Sequence, residues 1–428
     1  MRRDTSLHEK TGRYLMIPLL IRHAVLVLVL LATGSTAPAP TAQAGEAPYL
    51  VLVSIDGFRH DYPDLYPTPA LARIAAAGVR AASLRPVWPT LTFPNHYSIA
   101  TGLYPAEHGI VGNRFPAADR ESWYEYKDRT TVQDGRWYGG EPIWVAAERA
   151  GLPAAAYYFV GTEAPVGGVS PSDWRAFDDG VPGEARVAQA LDWLARPDET
   201  RPHVVTLYFE HVDVASHRHG PGSAEAAAAV ATVDGWLGEL LDGIARLPVA
   251  RQTYVVVVSD HGQLPTRLDE PSFVIEEVAN LDGVQVVNHG SLAMLFLDPA
   301  ERERAAGLRD AINARWEHGR AWLRDEAPAA WHVAGSPRMP DLLVQADPGY
   351  TVVSRAGGEV KLTAGDHGWA PETAGMHGVF LACGPGLPAG RRLPAIGAVD
   401  VYPLLLDMLG LPDGRGVDRE SPLAGLLE

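Results

Sequence analysis

The sequence predicts an α/β fold, with a mostly parallel central sheet and helices on both faces. Three observations carry this. The runs YLVLVSI (49–55), HVVTLYFE (203–210) and TYVVVVSD (253–260) are continuously apolar, as strands buried on both faces are, whereas a half-exposed strand alternates. Segments with helical punctuation lie between them, the order that builds parallel sheets. At 428 residues the chain suits one large α/β domain with insertions, or two or three smaller domains.

In chain order the first feature is an export signal. Arg2, Arg3, Lys10, Arg13 and Arg22 precede a short apolar core, AVLVLVLLA (24–32), and small residues at Ala42 and Ala44 suit cleavage after Ala44. The core is too short to span a bilayer comfortably, and Arg22 blocks its extension. Residues 1–44 therefore read as a signal peptide, with a retained N-terminal anchor as the alternative, and 45–428 as the folded domain. The protein is expected to be exported, periplasmic or secreted, without stable membrane insertion once the signal is removed.

The strand 49–55 ends at Asp56. TPALARIAAAG (68–78) opens with Thr-Pro and closes with Gly, the punctuation of a helix, and EPIWVAAERAG (141–151) repeats it. SAEAAAAVATVDGWLGELLDGIARL (223–247) is a long helical segment between the second and third strands. GVFLACG (378–384) reads as a fourth strand and AVDVYPLLLDMLG (398–410) as a late helix. Residues 264–365 are less regular, which suggests an inserted cap.

Charge narrows the function. A formal net charge of −16 repels nucleic-acid backbones and acidic membranes, so polymer binding is not expected. A small anionic substrate would need a local positive centre such as a metal. The single cysteine, Cys383, excludes an intramolecular disulfide and sits in an apolar run, as a packing residue does.

The strand ends hold the chemistry. The first runs into DGFR (56–59), the second into HVDVASHRHGP (211–221), the third into DHG (260–262). Ligands of open α/β sheets bind outside the carboxyl ends of strands. Asp56, Asp213 with His217, and Asp260 with His261 are the nitrogen and oxygen donors a zinc-like ion accepts. Asp213 and His217 are four apart and would share one face of a helical turn. Gly262 supplies a flexible backbone for the adjacent Asp260 and His261. A late histidine completes the set, and the residues alone divide that role evenly between His367 and His377.

PTLTFPNHY (89–97) contains two threonines, and the stretch by itself does not say whether Thr90 or Thr92 reacts or whether both are turn residues. Together, SIDGFR, TLTFPNHYSIATGLYPAEHGIVGN, YFEHVDVASHRHGP, VVSDHG and GDHGW followed by MHGVFLACGPG resemble the nucleotide pyrophosphatase/phosphodiesterases of the alkaline phosphatase superfamily. The resemblance runs from about residue 48 to the C-terminus. It implies an alkaline-phosphatase-like catalytic domain in which Thr92, directly before Phe-Pro-Asn-His, is the nucleophile.

It further implies two Zn2+ ions, one held by Asp56, Thr92, Asp260 and His261, the other by Asp213, His217 and His367, since GDHGW fits the family pattern better than His377 does. Asn113 matches an asparagine that hydrogen-bonds a phosphoryl oxygen, and Phe93 and Tyr208 match positions that flank a nucleobase. The implied activity is hydrolysis of nucleotide phosphodiester or phosphoanhydride bonds through a covalent phosphothreonine, with a small-molecule nucleotide or phosphodiester as substrate; no protein partner is expected. Phospholipid-type phosphodiesterase, phosphonate or monoester hydrolase, and a non-catalytic metal-binding protein are the alternatives.

Overall fold

The computed structural model describes residues 47–412 together with 423 and 425–427. The expected signal segment lies outside the described residues. Among the described residues no helix is long and apolar enough to cross a membrane.

The strand Tyr49–Ile55 is the centre of an eight-stranded sheet. It pairs in parallel with Val204–Phe209 on one side and Thr253–Val258 on the other. Ala154–Tyr157 and then Asp173–Arg175 extend the sheet in parallel beyond Val204–Phe209. On the opposite edge Phe380–Cys383 runs antiparallel to both Thr253–Val258 and Val79–Ala81, and Arg391–Leu393 closes the sheet parallel to the latter. The predicted strand 378–384 is therefore present but is the one reversed strand, and the sheet is mostly parallel as read.

Both faces of the sheet are covered, and the apolar runs show how. Leu50 and Leu52 point into a core with Trp144 of the helix Ile143–Arg149 and Leu404 of the helix Val401–Leu409. Val51, Val53 and Ile55 point the other way, against Leu237 and Leu240 of the helix Ala224–Ala245. Successive residues of one strand thus feed two cores, which requires an unbroken apolar run. Buried Asp234 of that long helix accepts from the N–H groups of Ala70 and Leu71 at 2.9 and 3.0 Å. It supplies the cap that the helix Pro69–Ala77 lacks from its own N-terminal residue.

Within 264–365 the chain forms a separate four-stranded antiparallel sheet, in the order Gln285–Asn288, Leu292–Phe296, Leu342–Ala346, Gly319–Leu323. The helix Arg304–Asn313 packs with it around a third core that includes Leu295, Leu308, Ile312 and Val344.

Candidate metal and phosphoryl-transfer site

Parallel register brings three strand ends to one edge. Ile55 pairs with Phe209 and Ser54 with Val258, so Asp56, the helix His211–His219 and the Ser259–His261 turn emerge side by side. Gly57 has φ +67°, and a Cβ there would lie 2.9 Å from Cα and Cβ of Asp213. Only glycine lets the loop after Asp56 approach the Asp213 helix this closely. Gly262 is needed for space rather than for the expected flexibility, because its Cβ would meet the Gly375 carbonyl oxygen at 2.3 Å.

Thr92 opens the helix Thr92–Thr101. Asn95 fixes the loop before it, accepting from Val87 N–H at 2.7 Å and donating to the carbonyls of Pro89 and Leu91 at 3.0 Å each. The Thr92 hydroxyl lies 3.4 Å from His261 Nε2. That nitrogen is 3.0 Å from Asp260 Oδ2 and 3.6 Å from Asp56 Oδ1. Asp213 Oδ1 is 3.4 Å from His217 Nε2 and 4.0 Å from His367 Nε2. The His261 and His367 rings stack with centroids 3.7 Å apart, joining the two halves. All seven residues read as metal ligands therefore meet in one place. His377 does not join them: it lies against Ser83 Oγ at 3.0 Å and the Pro371 carbonyl at 3.1 Å.

The donors suit cations. Asp56 Oδ1 and Asp260 Oδ2 are buried with no hydrogen-bond partner, and the salt-bridge partners of Asp56, Asp213 and Asp260 are all histidines. Buried carboxylates whose partners are imidazoles alone are costly unless a metal or other cation joins them. Burial, then the Asp260 and Asp213 charges, push the Asp56 carboxyl well above the usual carboxylate range. Three sets of donors, Asp56–His96–Asp260, Asp213–His261–His367 and His217–Asp366–His367, each have ligand atoms within 4.8 Å of one another.

His96, Gln263 and Asp366 escaped the sequence reading, whereas Asn113 and Tyr208 were named in it. His96 sits between Ser54 Oγ at 2.8 Å and the Thr92 carbonyl at 2.9 Å, with Asp260 Oδ2 at 3.3 Å from Nδ1. Gln263 donates to Asp213 Oδ1. Asp366 accepts from the His367 N–H at 2.8 Å. Asn113 accepts the Phe93 N–H at 3.0 Å through Oδ1, which leaves its amino group to donate. Tyr208 gives its hydroxyl to Asp56 Oδ2 at 2.5 Å and meets the His96 ring edge-on.

Two cavities adjoin Thr92 and the histidines. One, of about 130 Å³, is lined by Thr92, Phe93, Tyr126, Tyr158, Phe177 and Tyr208 among others. Of the four large apolar residues exposed among those described, Tyr126 (38%) and Phe177 (41%) both line it. The second, of about 460 Å³, is polar and is lined by Asn113, His217, Asp366 and His367, with Asn288 and His289 of the second sheet region.

Known proteins resemble the chain in sequence and in fold. The family described as type I phosphodiesterase/nucleotide pyrophosphatase matches residues 50–379. Human (Homo sapiens) ectonucleotide pyrophosphatase/phosphodiesterase family member 1 is 30% identical over 397 residues, 91% of this chain and 43% of that protein. Venom phosphodiesterase 2 of Crotalus adamanteus is 30% identical over 395 residues, 89% of this chain and 47% of that one. The chain thus spans less than half the length of these curated relatives. Murine ectonucleotide pyrophosphatase/phosphodiesterase 5 superimposes with a TM-score of 0.79 at 26% identity, covering 85% of this chain and 95% of that one. An inactive threonine-to-alanine form of it, in complex with AMP, gives the same TM-score and identity.

Proposed function

The chain belongs to the type I phosphodiesterase/nucleotide pyrophosphatase family, and on that premise we propose that it hydrolyses nucleotide phosphodiester or phosphoanhydride bonds through a covalent phosphothreonine at Thr92. The observation that carries the reading is the Thr92 hydroxyl at the edge of a buried cluster of carboxylates and imidazoles, 3.4 Å from His261 Nε2.

The residues fit two divalent ions, with Asp56, Thr92, Asp260 and His261 holding one and Asp213, His217 and His367 the other; we read both as Zn2+ from the nitrogen and carboxylate donor set. When bound, such ions supply charge stabilisation for an alkoxide nucleophile and for the leaving oxygen. The protein does the rest. Asn95 fixes the loop that leads into Thr92, and His96 holds the Thr92 carbonyl. The Thr92 oxygen attacks phosphorus, the bond to the leaving oxygen breaks, and water then cleaves the threonine ester. Asn113, its carbonyl fixed by the Phe93 N–H, donates its amino group to a phosphoryl oxygen. A neutral amide suits a diester, whereas a monoester carries an extra charge that a guanidinium would stabilise better.

The aromatic cavity suits a nucleobase, with Phe93 against it and the exposed rings of Phe177 and Tyr126 at its margin. Stacking of this kind is worth about 1–3 kcal/mol per base. Tyr208 shares the cavity, but its hydroxyl bond to Asp56 gives it a second role in fixing that carboxylate. Residues 45–428 are read as the catalytic domain. The separate antiparallel sheet within 264–365 supports an inserted cap that contributes Asn288 and His289 to the polar cavity. Export, to the periplasm or medium, follows from the N-terminal reading.

The test is the ratio of kcat/KM for a nitrophenyl nucleoside phosphodiester over nitrophenyl phosphate, with purified mature protein loaded with zinc. A ratio well above one is expected. A ratio below one, with monoester turnover, overturns the diesterase reading.

A further inference from the structure

The strand Leu342–Ala346 reads LLVQA and is buried throughout, yet it carries a glutamine. Gln345 is 4% exposed. A buried amide costs free energy unless hydrogen bonds meet it, and here the partners come from three separate segments. Oε1 accepts the Trp88 indole N–H at 3.0 Å. Nε2 donates to the carbonyl oxygens of Ser291 and Gly368, each at 3.0 Å. An indole only donates and a carbonyl only accepts, so the amide fits in one orientation.

Ser291 makes the companion contact. It is fully buried, and its hydroxyl donates to the His367 carbonyl at 2.5 Å. Gly368 has φ +94°, and a Cβ there would lie 2.2 Å from Ser291 Oγ, so only glycine lets the hydroxyl come this close. Two successive carbonyls, those of His367 and Gly368, are thus held by side chains from within 264–365. The imidazole of His367 is held from another side, with Nδ1 2.9 Å from the Thr90 carbonyl. Thr90 lies two residues beyond Trp88, so Gln345 grips both of the segments that this bond joins.

We propose that Ser291 and Gln345 are positioning residues for the metal position of His367, and that holding this position is a task of the separate antiparallel sheet. The proposal rests on the reading of His367 as a metal ligand. Both residues act through the backbone of that ligand rather than on its ring. A ligand fixed before the ion arrives loses less conformational freedom on binding. Asp213 and His217 share the helix His211–His219, so their spacing is set locally. His367 follows a strand of two residues, Gly365–Asp366, and its distance from that helix has to be set by tertiary contacts. The position of Asp56, Asp260 and His261 is set by the ends of the central strands. Loss of Ser291 or Gln345 therefore falls on one ion and spares the other.

The experiment measures zinc per chain in the mature protein after dialysis against a weak chelator. It compares wild type with Ser291→Ala, Gln345→Met, His367→Ala and Thr351→Val. Thr351 carries a hydroxyl of the same region, 2.7 Å from Ser272 Oγ, so its variant reports any general loosening there. Wild type and Thr351→Val should keep about two ions, and Ser291→Ala and Gln345→Met about one, with affinity at the weakened position down ~10–100-fold. Excess zinc should return Ser291→Ala to about two per chain, since mass action refills a weakened position. Full zinc retention in either folded variant, beside a loss in His367→Ala, overturns that residue's role and leaves the metal reading intact. Ser291→Ala deletes a single hydroxyl and decides the matter if Gln345→Met does not fold. Equal zinc loss in Thr351→Val, or a loss in Ser291→Ala that excess zinc does not reverse, overturns the positioning role. Full retention by His367→Ala overturns the metal reading and the proposal with it.

Discussion

The Nδ1 of His367 lies 2.9 Å from the carbonyl oxygen of Thr90. A carbonyl only accepts, so Nδ1 carries the proton and Nε2 keeps its lone pair, which faces Asp213 at 4.0 Å. His217 repeats the arrangement against the Gly365 carbonyl at 2.8 Å, and His261 against the Gly262 carbonyl at 3.1 Å. Three imidazoles are thus fixed in one tautomer, with Nε2 directed into the cluster, the arrangement that second-layer contacts give to metal-ligating histidines. Burial, then the nearness of His261 and His217, keeps the His367 imidazole neutral at ordinary pH. The backbone of Thr90 serves the site, while its hydroxyl is buried without a hydrogen-bond partner.

The expected consequence is a change in metal content. His367→Ala should lower bound zinc from about two to about one per chain, with affinity at the weakened position down ~10–100-fold, a loss at least as large as that for an outer partner. His377→Ala should keep both. Metal analysis after dialysis against a weak chelator decides this, and zinc loss in His377→Ala with retention in His367→Ala would reverse the assignment.

Arg186 should hold in place the helix His211–His219 that carries Asp213 and His217. Its side chain is fully buried, and all five of its N–H groups are used. They reach the Val181 carbonyl, the Tyr208 carbonyl at 2.9 Å and both oxygens of Glu210 at 2.6 and 2.8 Å. Glu210 directly precedes the helix that carries Asp213 and His217. Arg186→Met should cost about 3–5 kcal/mol in urea unfolding, because Glu210, only 13% exposed, loses its guanidinium partner. Arg186→Lys should recover little of it, since the planar fork is what matches the carboxylate. A Lys variant as stable as wild type would show that charge alone suffices.

Stability should fall in mild acid. His108 is buried between Ser98 Oγ and the Ile110 N–H, and burial pulls its imidazole down from 6.5 to about 3. Burial, with the Arg114 charge, pulls His289 down to about 4. Below pH 6.5 the unfolded chain protonates both while the folded chain does not. Stability is therefore full above about pH 6.5 and is lost as the pH drops toward 4 and then 3, with His108 accounting for roughly 4–5 kcal/mol over its whole window. The urea midpoint of His108→Gln should accordingly depend less on pH between 6.5 and 4 than that of wild type. Parallel curves for the two proteins would remove His108 from the account.

Much of this was legible because the chemistry sits where strands end. Asp56, Asp213 and Asp260 follow apolar runs that cannot be mistaken for surface segments, and the His217 spacing carries its helix with it. The reversed direction of Phe380–Cys383 was not legible: an apolar run records burial, not polarity, and direction is set by which edge the returning chain reaches. Short strands such as Ala154–Tyr157 hide among alanines whose small side chains give no periodic signal. Tyr126 and Phe177 carry no signal of a site in the sequence, and only three-dimensional placement shows that they share a cavity with Thr92. His96 was visible within FPNHY, but its contacts with Ser54 and Asp260 join residues far apart in sequence.

The central claim is that Thr92, and not its neighbour Thr90, attacks phosphorus. Turnover of a nitrophenyl nucleoside phosphodiester by zinc-loaded Thr92→Ala and Thr90→Ala, with metal content measured on the same samples, tests it most directly. Thr92→Ala should lose at least ~10³-fold in kcat, as removal of a nucleophile does, while still binding zinc. Thr90→Ala should stay within about tenfold of wild type, as expected when only a side chain outside the reacting groups is lost. Near-normal turnover by Thr92→Ala, or its abolition in a Thr90→Ala protein that retains its metals, would contradict the account.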